Sequence, residues 1–167
     1  MSQVQNEYEI NDRTNAILPV AEVEYSALVM EGEKRIKVRQ TPLQIIKAAC
    51  LKGGASYEGR RKAVTYLTSA VQKVPIPVNP RRKIFAFPTH SPTSFECHWI
   101  FFHQVKSITL PKHTHPTIQS MIHFKDNQTL PMKESYYILH KQYQRTAMCI
   151  LQYSTPDHLQ THSIISI

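Results

Sequence analysis

The middle of this 167-residue sequence is almost without acid. From Lys34 to Lys83 there are thirteen Lys or Arg and one carboxylate, Glu58, a net charge of +12. Residues 1–33 sum to −6 and residues 84–167 to +2, giving the chain its +8. Other shortages exclude whole classes. No apolar run nears the ~20 residues that a membrane-spanning helix needs. Met1 to Asn15 is polar and acidic, without the apolar centre of a secretion signal, and neither end carries a lipidation motif. The expectation is a cytoplasmic protein with no membrane partner. Three cysteines, Cys50, Cys97 and Cys149, cannot all pair, and no Cys-x-x-Cys occurs, so a disulfide framework is not expected. There is no internal repeat and no low-complexity tract.

What is present supports a core. Hydrophobic residues make up 41% and charged ones 19%, a globular balance. A small chain that packs its positive charge into one third of its length points to a polyanionic partner, and nucleic acid is the first candidate. The plainer reading of the same charge is a solvated surface. Three separate clusters with one acid among them favour binding.

The residues predict an α+β fold: mixed strands, a central pair of short helices, an antiparallel hairpin and a C-terminal helix. Ala16-Ile17-Leu18 and Ala27 to Met30 read as strands, as does the alternation around Ile36 and Val38. Thr41-Pro42-Leu43-Gln44 is a helix start with a capping box, and Gly53-Gly54 is its stop. Leu43, Ile46 and Cys50 share a face. Ser56 is the expected cap of a second helix from Tyr57 to about Ala70, with Ala63, Tyr66, Leu67 and Ala70 inward. Prolines at 75, 77 and 80 impose an extended path, at a sheet edge or as a linker. Ile84 to Phe87, Trp99 to Leu110 and Thr117 to Phe124 read as strands, with a turn at Asp126-Asn127 before a short strand ending near Pro131. Glu134 to Tyr153 is the last helix, its apolar positions Tyr136, Leu139, Tyr143, Ala147 and Ile150. One domain over 1–167 follows: acidic strands (1–33), a basic segment (34–83), strands with the C-terminal helix (84–153) and a short tail (154–167).

The sharpest local feature is Lys52-Gly53-Gly54-Ala55-Ser56-Tyr57-Glu58-Gly59-Arg60-Arg61-Lys62. With Ser56 as cap, three cations crowd the first turns of a helix and oppose its dipole by roughly 0.3–1 kcal/mol each. An anion at the helix start would offset this, its approach eased by the two glycines. The full G-x-x-x-x-G-K-[ST] pattern is absent, so a nucleoside triphosphate site is not expected. The expected contacts are Arg60, Arg61 and Lys62, supported by Lys52, Ser56 and Tyr57. Arg81, Arg82 and Lys83 form a second cluster, and Lys34, Arg35, Lys37 and Arg39 a third.

Other constellations are weaker. His113 and His115 flank Thr114 in a proline-bounded loop, and Cys97-His98 reads as part of a core run beside Trp99, so no metal site, cofactor or catalytic residue is assigned. The chain is not expected to be an enzyme. Phe85, Phe87, Trp99, Phe101 and Phe102 raise an RNA or single-strand binder as the alternative class, although most fit a core better.

Pro42-Leu43-Gln44-Ile45, Gly54 with Ser56-Tyr57 and Gly59-Arg60, and Ile84-Phe85 with Phe87-Pro88-Thr89 form a recognisable series. It continues through Cys97 with Trp99-Ile100, the Phe124 to Pro131 hairpin, and Gln142 with Arg145-Thr146-Ala147. In these residues the chain resembles the competence transcription factor (ComK) family of Gram-positive bacteria. The resemblance implies a homo-oligomeric activator, a dimer or dimer pair, of genes for DNA uptake and transformation. Such a protein binds paired A/T-rich boxes in duplex DNA, largely through the minor groove, and acts with RNA polymerase at the nucleoid. The family's longer members carry a C-terminal tail implied in delivery to a Clp protease by an adaptor. This sequence ends at Ile167 with no charge after Asp157, so adaptor recognition is not expected here. A short paralogue that modulates a full-length factor is the alternative.

Overall fold

The computed structural model describes residues 3–154, so the expected tail lies outside the described residues from position 155 onward. Among the described residues are ten strands and three α-helices, an α+β fold. In chain order they are β1 (Val4–Gln5), β2 (Thr14–Pro19), β3 (Ala27–Glu31), β4 (Lys34–Val38), α1 (Pro42–Lys52), α2 (Tyr57–Thr68), β5 (Ile76–Asn79), β6 (Ile84–Pro88), β7 (Trp99–Phe101), β8 (Val105–Thr109), β9 (Ser120–Phe124), β10 (Thr129–Met132) and α3 (Tyr136–Ser154). Seven strands form one sheet in the order β1-β4-β3-β2-β7-β6-β5, and three form a second, β10-β9-β8. Only the β1–β4 pair is parallel.

Successive strand residues point to opposite faces. Ile17, Val29 and Trp99 enter a core shared with Ile45 and Ile46 of α1, Val64 of α2 and Cys149 of α3. Their neighbours Ala16, Met30 and Ile100 enter a second core with Ile122, Phe124 and Met132 of the small sheet. The large sheet is therefore a middle layer, α1 and α2 on one face and the small sheet on the other, with α3 contributing Cys149 to the first core and Leu139 to the second. β6 lies within it and is buried throughout, which is why Ile84-Phe85-Ala86-Phe87 is continuously apolar. The aromatics of β6 and β7 are core side chains, fully packed and not base-stacking platforms.

Several elements form as their residues dictate. Thr41 and Gln44 make the reciprocal capping box of α1, at 3.2 and 2.9 Å. The proline-rich stretch becomes β5, an edge strand, the place where proline is tolerated in a sheet. Asn127 takes the left-handed conformation, φ 70°, in the turn between β9 and β10.

Three expectations need correction. The apolar run from Trp99 to Leu110 is two strands in different sheets, separated by a 3-10 turn at Phe102–Gln104. The turn is as apolar as a strand because Phe102 stacks on Tyr143, ring centroids 4.4 Å apart, and His103 lies edge-on to Phe85. In α2 the inward residues are Tyr57 and Val64, whereas Tyr66 is 88% and Leu67 42% exposed. The helix ends at Thr68, capped by left-handed Ser69, so Ala70 never joins the face. In α3 the buried residues are Leu139, Gln142, Thr146 and Cys149, and Tyr136 is exposed. A buried glutamine is tolerable here because its Nε2 donates to the carbonyls of Lys73 (3.0 Å) and Pro88 (2.8 Å).

The acidic N-terminal segment is a strap. Glu7 and Glu9 face outward while Tyr8 and Ile10 are buried. The Tyr8 hydroxyl lies 2.7 Å from both Thr14 Oγ1 and Glu31 Oε1, and its amide donates to Gln40 Oε1 at 3.0 Å. Burial pushes the Glu31 carboxyl up, but hydrogen bonds from Asn11 and Tyr8 and the charges of Lys34 and Arg13 outweigh it and hold it low.

Candidate nucleic-acid interface

The corner between α1 and α2 is built from groups that satisfy one another. The amides of Gly53, Gly54 and Ala55 donate to the carbonyls of Ala49 (3.0 Å), Leu51 (3.0 Å) and Cys50 (3.2 Å). A Cβ on Gly53 would stand 2.6 Å from the carbonyl oxygen of Val78 in β5. Glycine is required at that position by packing of α1 on the sheet edge. Gly54 supplies the left-handed turn, φ +95°, with open space around it. The two glycines expected to ease an anion's approach thus have their own amides engaged at the end of α1.

The start of α2 is equally occupied. Ser56 Oγ accepts the Gly59 amide at 3.0 Å, the expected cap. The anion at this helix start is the protein's own Glu58. Its carboxyl is held low, first by its own backbone amide and then by Lys47, which pairs with it at 3.4 Å. Tyr57 is buried with its ring edge-on to Trp99 at 6.4 Å, and burial pushes its phenol up to about 12. Arg60 turns inward: it is half-buried and its Nη2 donates to the Gly53 carbonyl at 2.9 Å. Arg61 and Lys62, one and two positions on, face solvent; Arg61 reaches the Val71 carbonyl at 3.4 Å.

The other expected cluster is differently placed. Arg81 and Arg82 lie in a 3-10 turn, Pro80–Arg82, between β5 and β6, with Lys83 as its cap. Asn79 Oδ1 accepts the Arg82 amide at 3.3 Å, and the Lys83 amide returns to the Pro80 carbonyl at 3.1 Å. Lys83 has φ 57°, a left-handed conformation in which a side chain costs roughly 1–2 kcal/mol. All three side chains are exposed, and none makes a hydrogen bond or ion pair among the described residues.

The turn separates two clefts. One, about 490 Å³, brings Arg82 together with Lys52 of α1, Gln40, Asn79 and the acids Glu7 and Glu9. Lys52 pairs there with Glu9 at 3.0 Å. The other, about 210 Å³, is lined by Arg82, Lys83, Asn11, Gln104 and His103. Burial and the charges of Lys125 and Lys83 hold the His103 imidazole below its usual range. No sequence signal joins His103 and Lys125 to Lys83, because they stand 20 and 42 positions away and only the tertiary fold brings their charges together. Arg61 and Lys62 line neither cleft. On β4, Arg35 donates to Gln128 Oε1 at 3.0 Å and Lys37 lies over the Tyr25 ring at 5.2 Å; Arg39, just past the strand, donates to the Glu24 carbonyl at 3.2 Å. That cluster is held locally. Among the described residues no helix is long and apolar enough to cross a membrane.

A family model described as ComK protein matches residues 5–158, nearly all of the described chain. The chain belongs to the ComK family. A competence transcription factor of Bacillus subtilis (strain 168) is 32% identical over 141 residues, 84% of this chain and 71% of that protein. No solved structure matches. Family membership makes sense of the residues that carried the resemblance. Gln142 and Arg145 of α3 bind each other side chain to side chain, and Arg145 Nη2 donates to the Gln72 carbonyl at 2.8 Å. Together they pin the loop after α2 to α3, and β5 with its basic turn follows directly from that loop. In this chain these residues hold the loop that leads into β5 and the exposed turn.

Proposed function

We propose that this chain is a DNA-binding transcription factor of the competence type, cytoplasmic and nucleoid-associated, that binds A/T-rich duplex boxes largely through the minor groove. It does so as a homo-oligomer and acts with RNA polymerase. The supporting observation is the turn at Arg81, Arg82 and Lys83: three exposed, unpaired cations on one short connection whose last residue is held in a strained conformation. Arginine suits the narrow A/T minor groove, whose negative potential attracts it. Lys52 lines the first cleft with Arg82, and Lys83 lines the second. Arg61 and Lys62 contribute phosphate contacts from α2, with Ser56 beside them. Arg60 and Tyr57 serve as positioning residues, because their functional atoms face the core.

The test is a titration of an A/T-box duplex and a G/C control at several salt concentrations. A preference for the A/T duplex and a log K against log[salt] slope of roughly −5 to −9 support the reading. Equal affinity for both duplexes reduces it to polyanion binding, and a slope near zero removes the electrostatic basis altogether.

A further inference from the structure

The strap that carries the N-terminal acids lies against the basic rim, and its position is fixed. Tyr8 and Ile10 are buried, the Tyr8 amide is held by Gln40 and its hydroxyl by Thr14 and Glu31. Upstream, β1 pairs with β4 and the Arg39 amide donates to the Gln5 carbonyl at 2.9 Å. Strand-like alternation then presents Glu7 and Glu9 together to the cleft that holds Lys52 and Arg82. Lys52 and Glu9 pair at 3.0 Å, yet their side chains are 67% and 69% exposed. An ion pair that open to water is weak and screened by salt. It is easily exchanged for another anion, and Arg82, exposed and without an ion pair among the described residues, lines the same cleft.

We propose that this cleft is a guarded phosphate subsite: a DNA backbone phosphate seats between Lys52 and Arg82 by displacing Glu9, while Glu7 and Glu9 lower affinity for any duplex that fits poorly. This rests on the DNA reading above and adds its regulation. The protein's own carboxylates set a threshold that only a close-fitting groove passes, and neutralising them trades selectivity for affinity.

Glu9→Gln and Glu7→Gln, both at exposed positions, are measured with the A/T and G/C duplexes at low salt, beside Lys52→Gln and the double variant E9Q/K52Q. Expected are about two- to fivefold tighter binding for E9Q, a larger gain on the G/C duplex than on the A/T duplex, and no gain from E9Q once Lys52 is gone. Unchanged or weaker duplex binding by E9Q and E7Q, with melting temperatures preserved, overturns the guard and leaves the DNA reading standing. A second arm uses inorganic pyrophosphate and backbone amide shifts of Lys52, Asn79 and Arg82 in E9Q. Shifts confined to those residues without duplex binding overturn the DNA reading and uphold the subsite. No shift and no duplex binding by any of the proteins overturn both.

Discussion

Nη2 of Arg60, on α2, donates to the carbonyl of Gly53, the C-cap of α1, at 2.9 Å. The bond ties together the two helices that pack on β5, and it turns the most conspicuous cation of the basic block toward the core. Arg60→Gln is expected to cost about 1–3 kcal/mol, because it removes a charged donor and leaves a half-buried carbonyl unpaired. Arg81→Gln is expected to change stability by no more than ~0.5 kcal/mol while weakening duplex binding. Chemical denaturation and a DNA titration on the same two variants separate the roles. A stable R60Q protein with selectively lost DNA affinity would return Arg60 to the interface.

Lys83 offers a different contrast. Its φ of 57° suits asparagine better than lysine. Lys83→Asn should hold or raise stability, by up to ~1 kcal/mol, while lowering duplex affinity and reducing the magnitude of the salt slope by about 1. Melting and salt-dependent titration are the readouts. Unchanged affinity would remove Lys83 from the proposed contact set.

Gln142→Leu keeps the size of the side chain but leaves the carbonyls of Lys73 and Pro88 without their donor and Arg145 without its acceptor. The expected loss is about 2–4 kcal/mol in urea unfolding. Increased hydrogen exchange should centre on residues 69–75, the loop these bonds hold.

Alkaline pH acts through groups whose burial raises their folded pKa. Burial takes the Cys50 and Cys149 thiols from an ordinary 9.0 to about 11, and the Tyr57 phenol from 10.0 to about 12. Such groups contribute stability that is whole below the unfolded value and is lost as pH climbs toward the folded one. Melting temperature is therefore expected to fall from about pH 9 through 11, with the slope reduced in Cys149→Ala. A flat profile across that window would contradict the burial assigned to these side chains.

Much of the architecture is legible in the sequence because it rests on local chemistry. Thr41 and Gln44 face each other within one turn, so the start of α1 can be read directly. The prolines at 75 and 77 suit an extended edge, and Pro80 opens the 3-10 turn that follows it. The inward faces of α2 and α3 resist such reading. Periodicity finds apolar stripes, but Tyr66 and Leu67 form a stripe on the outer side. The true inner faces include Arg60 and Gln142, which are polar and are accommodated by carbonyls of distant segments. The Trp99–Leu110 run hides a change of sheet because its 3-10 turn packs aromatic side chains as a strand would.

The candidate site divides along the same line. Charge is a property of composition, so the sequence by itself determined the +12 segment and the −6 segment before it, and its motifs placed the chain in its family. Which cations are free is a property of direction, and only the tertiary structure decided that. Adjacent residues on a helix point about 100° apart. The packing of α2 on β5 and α3 therefore spends Arg60 on the core and leaves Arg61 and Lys62 outside. Packing of α1 on β5 brings Lys52 into one cleft with Arg82, and the strap adds Glu9 as the partner of Lys52, across separations in the chain that no local pattern spans.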